Sequence, residues 1–172
     1  MSALLTFERR LALLEDRLVM AAVAIIALIL GVGVVLRYVF NDPLTWSEEF
    51  VVTLFVWSVM LGVPSALRAR MHIRIDALIL RLGPGARRFT GLLASVFGAV
   101  IMLAAIYAGW QHTQGVWSNQ TPMLGYSLGW IFVSMPIGFA LTLFHAAVLF
   151  FVEGPDAVFR NATESVIDAA ET

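Results

Sequence analysis

The 172 residues contain no cysteine. Disulfides, thiolate metal sites and cysteine nucleophiles are therefore excluded. Lysine is missing too: all eleven basic residues are arginine, so a G-x-x-x-x-G-K-S/T phosphate loop cannot be written. Charge as a whole is scarce. Charged residues are 13% of the chain, about half the share found in soluble domains. Apolar residues fill the space, at 60% with a mean hydropathy of +0.86. The net charge of −1 says little about partners, but the arginines gather in two places. This is the composition of an integral membrane protein with little soluble mass.

The stretch from Thr45 to Asp76 sets the orientation. It opens on Glu48 and Glu49, runs from Phe50 to Leu67 without a charge, and closes on Arg68, Arg70 and Arg74. The uncharged run makes a helix of about 27 Å at about 1.5 Å per residue, close to a hydrocarbon core of about 30 Å. Arg-rich short loops are retained in the cytoplasm, so the basic end is expected there. Thr45 followed by Glu48 fits a capping box. Trp46 reads as an interfacial anchor, and Trp57 as a mid-helix residue packed on a neighbour. Pro64 is expected to kink the helix.

The rest of the chain supplies three more spans. Residues 1–17 read as an amphipathic helix on the membrane surface, with Leu4, Phe7, Leu11, Leu14 and Leu18 on one face. A twin-Arg signal at Arg9-Arg10 is the alternative, but acidic residues interrupt it and the apolar run after it is long. The spans are expected at about 18–37, 48–67, 89–110 and 129–152. Ala24, Ala27 and Gly31 form a small-residue stripe on the first. Arg37 closes that span on the outer side, with Asp42, Glu48 or Glu49 as a structural partner or another protein as a contact. Residues 73–82 read as a surface helix inside a loop carrying six arginines from Arg68 to Arg88. His72 there reads as a loop histidine, since arginines on both sides oppose a bound cation. The loop 111–128 carries an aromatic belt with Trp117 and Tyr126. Ser134, Gly138, Thr142 and Ala146 make the clearest packing face, on a fourth span that Pro136 should bend. The tail 153–172 is polar and acidic. The expected fold is all-α: four transmembrane helices with amphipathic surface helices, both termini cytoplasmic, in a bacterial inner membrane.

Chemistry is hard to place. No Asp, Glu, Lys or Arg lies inside a span, and His145 is the one ionisable residue clearly within one. Ion and proton relays usually need such groups. No metal or nucleophile motif is present. No catalytic, cofactor or metal residue is assigned, and the chain is expected not to be an enzyme. One competing idea is a redox-complex membrane anchor with haem on His112 and His145, although the two lie toward opposite sides. A self-assembling pore is opposed by the lack of a polar helix face.

A resemblance follows from particular residues. Leu36-Arg37-Tyr38-Val39-Phe40, then Pro43-Leu44-Thr45-Trp46-Ser47-Glu48-Glu49, then Trp57, Gly62, Arg68, His72 and Ile75-Asp76 form one pattern. Gln120-Thr121-Pro122, Gly129-Trp130, Pro136 and Gly138 add to it. Over about residues 18–150 the chain resembles the small membrane subunit (DctQ type) of tripartite ATP-independent periplasmic, or TRAP, transporters. The resemblance implies a non-catalytic scaffold subunit beside a large multi-span subunit that moves an organic-acid solute with an ion gradient, commonly sodium. It also implies a periplasmic substrate-binding protein. Arg37, Trp46, Glu48, Glu49, Trp57, Arg68, His72, Asp76, Ser134, Gly138 and Thr142 are the candidate partner-contact or structural residues.

Overall fold

The computed structural model describes residues 2–69 and 84–154. The expected surface helix at 73–82, His72, Asp76 and the tail from residue 155 lie outside the described residues. The described chain forms α1 (Ser2–Val39), α2 (Ser47–Arg68), α3 (Pro84–Val116), the short α4 (Gly129–Phe132) and α5 (Ser134–Glu153). Four helical stretches are long and apolar enough to cross a membrane: Leu4–Val39, Ser47–Arg68, Arg88–Val116 and Gly129–Val152.

Three boundaries differ from the sequence reading, each for a local reason. Residues 2–17 do not form a helix of their own but continue into the first span, so α1 runs 38 residues. Neither glycine nor proline falls between Ser2 and Leu30 to break it. α3 continues past Trp110 to Val116, because Gln111, His112, Thr113 and Gln114 are polar without being helix breakers. The fourth span is divided at Val133. Pro136 has no N–H to offer the Phe132 carbonyl, while Val133 N–H still reaches Gly129 O (2.9 Å) and Ile137 N–H reaches Val133 O (3.3 Å).

The helices form an open layer. α1 packs on α2, α2 on α5, and α5 on α3. Among the described residues no packed pair joins α1 or α2 to α3, so the layer is one helix thick. Its burial is inverted relative to a soluble protein. The buried polar residues are Glu15, Ser58, Thr113, Thr121, Ser134, Thr142 and His145, whereas Ile131 and Val148 are the buried large hydrophobics. Lipid can solvate apolar side chains, so polar ones turn toward protein.

Small residues set the close contacts. Gly138 lies on α2: a Cβ there would stand 2.6 Å from the Met60 carbonyl oxygen. Ser134 and Thr142, on the same side, are buried and donate to nearby backbone, Ser134 to Ile131 O of α4 (2.6 Å) and Thr142 to Gly138 O of its own helix (2.7 Å). This stripe thus packs inside the chain. The Ala24, Ala27 and Gly31 stripe is instead exposed; α1 meets α2 through Ala22, Ile26, Ile29, Gly33 and Leu36, which are half-buried.

Candidate functional site: polar clusters at the two ends of the layer

At the Arg68 end, three helices share one ionic cluster. Arg68, the last residue of α2, donates from Nη1 to Glu15 and from Nη2 to Asp16 Oδ1 (2.8 Å). Ser65, one turn back, also donates to Asp16 Oδ1 (2.9 Å). His145 of α5 places Nδ1 2.9 Å from Glu8 Oε1 and Nε2 3.2 Å from Glu15 Oε1. Glu15 is 2% exposed and His145 3%. Glu8, Glu15 and Asp16 fall on one side of α1 because seven and eight residues are about two helical turns. The apolar side, with Leu4, Phe7, Leu14 and Leu18, is exposed. The carboxylates of this stretch turn toward the protein, while Arg9, Arg10 and Arg17 stay exposed.

At the other end, α2 begins with a second cluster. Glu49 accepts two backbone N–H bonds, Met123 to Oε1 (2.8 Å) and Leu124 to Oε2 (2.9 Å). Thr53 pairs with the Tyr126 hydroxyl and also donates to Glu49 O (2.8 Å). The loop so held is a tight hairpin. Thr121 N–H meets Tyr126 O (2.9 Å), Leu128 N–H meets Asn119 O (2.8 Å), and Gly125 takes φ +68°, where glycine avoids strain. The Trp117 ring lies on Gly129, where an added Cβ would come within 2.2 Å of it.

The expected site residues divide between these ends. Arg37 pairs with Glu48 at 3.7 Å, both exposed. The capping box is overturned: Trp46, not Thr45, is the N-cap of α2, and no side chain caps it. Glu48 is drawn to Arg37, and Ser47 donates to Leu44 O (2.7 Å) instead. Trp46 stacks edge-on against Phe50 at 6.2 Å. Trp57 donates from Nε1 to Trp130 O (2.9 Å), fixing the middle of α2 to α4. Pro64 is buried inside α2, which continues to Arg68.

Sequence reasoning missed Glu15 and Asp16 as partners of Arg68, and Glu8 as a partner of His145, because a helix laid flat on a membrane would turn them to water. Their common face was the available signal. The haem pairing loses its ligands: both His145 nitrogens face side-chain partners, and His112 packs edge-on to Phe132 at 4.6 Å near the opposite end. The two clusters stand about 28 Å apart along α2, from Glu49 to Arg68 at about 1.5 Å per residue. That is close to the thickness of a hydrocarbon core.

Comparison with known proteins places this arrangement. Residues 26–153 match the family model described as tripartite ATP-independent periplasmic transporters, DctQ component. The chain is 32% identical over 108 residues to the sialic acid TRAP transporter permease protein SiaT of Haemophilus influenzae, covering 63% of this chain but 18% of SiaT. It is 31% identical over 108 residues to the sialic acid TRAP transporter small permease protein SiaQ of Vibrio cholerae, covering 63% of this chain and 62% of SiaQ. It is 24% identical over 155 residues to the C4-dicarboxylate TRAP transporter small permease protein DctQ of the same organism, covering 76% and 67%. The chain thus spans less than two thirds of the length of the first two relatives. With four helices able to cross a membrane, it is a multi-pass bacterial membrane protein, and it belongs to the DctQ component family of the tripartite ATP-independent periplasmic transporters.

Proposed function

We propose that this chain is a non-catalytic scaffold subunit of a TRAP-type importer in the inner membrane. The observation that carries this reading is the open layer. A sheet of helices one helix thick encloses no solute path, and large apolar side chains stand exposed along the helices of the layer. Its polar groups are spent at the two ends on holding the helices together. Such a body braces a neighbour and does not move a solute. The neighbour is a large multi-span subunit. The length difference between SiaT and SiaQ supports it: a similar segment occurs within 18% of a long permease and over 62% of a short one.

The finer assignments are part of the same reading. The relatives are named for sialic acid, C4-dicarboxylates and ectoine, all of which carry carboxylates, so the transported solute is an organic acid, driven by an ion gradient, sodium in particular. The loop end faces the periplasm and takes part in docking a soluble binding protein. The Arg68 end and both termini face the cytoplasm, in line with the retention of arginine-rich loops.

Reconstitution tests the function. Co-expression with a large multi-span subunit of this transporter type should yield a stable heterodimer, and proteoliposomes lacking this chain should not transport. Full-rate transport by the large subunit alone would overturn the scaffold role. The lack of native cysteines makes the orientation test clean. A cysteine at Gln120 should react with an impermeant maleimide in spheroplasts and one at Gly85 should not; the reverse result inverts the topology.

A further inference from the structure

His145 raises a question of proton count that the scaffold role does not answer. Nδ1 faces Glu8 Oε1 at 2.9 Å and Nε2 faces Glu15 Oε1 at 3.2 Å. An ionised carboxylate only accepts, and a neutral imidazole carries a single N–H. A neutral ring can donate to one of these carboxylates but not to both. Nε2 has a further neighbour, Arg68 Nη1 at 3.1 Å.

The same heavy atoms therefore support two proton arrangements. With two ring protons, His145 donates to Glu8 and to Glu15, and Arg68 donates to Glu15 and Asp16. With one, Nδ1–H donates to Glu8, Nε2 accepts from Arg68, and Glu15 Oε1 faces a lone pair. The charge count separates them. Three carboxylates against one guanidinium leave −2 with a neutral ring and −1 with a charged one. In a site where Glu15 and His145 are almost fully buried, one charge is a large difference.

We propose that His145 is a proton-operated tie between α5 and the first turns of α1. The groups that face it are Glu8 and Glu15, with Asp16 beside them on α1, Arg68 on α2, and the apolar Phe144 ring at 5.5 Å on α5. Among the described residues its ion pairs are with Glu8 and Glu15 alone. The sign follows from the patterns. The charged ring holds α1 through two carboxylates. When the ring holds one proton the bond to Glu15 is lost, and the remaining polar ties to this stretch are His145 to Glu8, Arg68 to Glu15 and Asp16, and Ser65 to Asp16.

The test uses the full chain in lipid nanodiscs with 15N-labelled histidine rings, His145 being told from His72 and His112 by its loss in H145Q. Ring nitrogen shifts and amide protection of residues 5–16, corrected for intrinsic exchange, are followed from about pH 5 to about pH 8. The expected result is a ring passing from two protons to one, with α1 protection falling at the same midpoint and no such step in H145Q. A ring that keeps one protonation state throughout, or α1 protection that ignores the ring titration, overturns the proposal. If H145Q does not fold, a chain carrying H72Q and H112Q leaves His145 as the one ring signal, and its midpoint, coincident with that of α1 protection or not, still decides.

Discussion

The two ends of α2 use carboxylates in opposite ways. At one end Glu15 and Asp16 meet a guanidinium, side chain to side chain, in a cluster where Glu15 is almost completely buried. At the other, Glu49 meets two backbone amides in an exposed loop. The first cluster ties three of the helices together. The second shapes one hairpin and so determines what the layer presents. A buried ion pair contributes little over an apolar pair of the same shape, but breaking it strands a charge. An exposed carboxylate released from its amides simply returns to water.

The largest effect should come from stranding that charge. Arg68→Leu leaves Glu15 buried and Asp16 half-buried without their guanidinium, at a cost of about 3–5 kcal/mol. That is a large fraction of the stability of any domain. The measurement is the yield and thermal stability of the subunit in detergent. Adding Glu15→Gln and Asp16→Asn to Arg68→Leu should recover a substantial part of the loss. Recovery would confirm that the damage is unpaired charge, whereas an additive further loss would show that the side chains matter for packing.

Gly138→Ala comes next and acts between the two ends. Its new methyl group would lie 2.6 Å from the Met60 carbonyl oxygen, which is backbone and cannot swing aside. Overpacking of this kind costs about 1–3 kcal/mol. Gly109→Ala is the control: there the nearest atom is Pro136 Cδ at 3.2 Å, so a smaller loss is expected in the same thermal assay. Equal losses would mean that α2 and α5 can part as readily as α3 and α5.

Glu49→Ala should leave global stability nearly unchanged and act locally. Amide exchange at Met123 and Leu124 should quicken several-fold while the helices keep their protection. If the whole layer loosened together, the separation between a load-carrying end and a presenting end would fail. Under the proposed function, uptake would fall more than assembly, because the hairpin would be misplaced and not missing.

The sequence carried the four spans plainly, because a charge-free run of the right length has few other uses. It carried the arginine boundary at Arg68 as well. It did not carry the contacts of α1. The pattern of Leu4, Phe7, Leu14 and Leu18 is equally that of a helix lying on a membrane and of one standing in it with its polar face toward a neighbour. Only the position of Arg68 and His145 on other helices separates these. Thr45 and Glu48 were misassigned at the cap because a capping box is a local rule, and a cation at Arg37 competes for the same carboxylate from the previous helix. The hairpin at 121–126 was hidden by its lack of hydrophobic alternation; its hydrogen bonds run to its own backbone and to Glu49.

The smallest effect should be at Arg37 and Glu48, and it sharpens the comparison most. The pair bridges α1 and α2 at the loop end, as Arg68 and Glu15 bridge them at the other, with the same chemistry in the opposite setting. It is longer, at 3.7 Å, and its side chains are 57% and 80% exposed. Water screens such a pair, and holding two long side chains together costs entropy, so it is worth about 0–1 kcal/mol. A double-mutant cycle with Arg37→Ala and Glu48→Ala should return a coupling within that range, shrinking further in high salt as the screening length falls. The same cycle on Arg68 and Glu15 should return several times as much and resist salt. If the two couplings came out alike, burial would not be what distinguishes the ends, and the inverted arrangement of polar and apolar side chains would lose its energetic meaning.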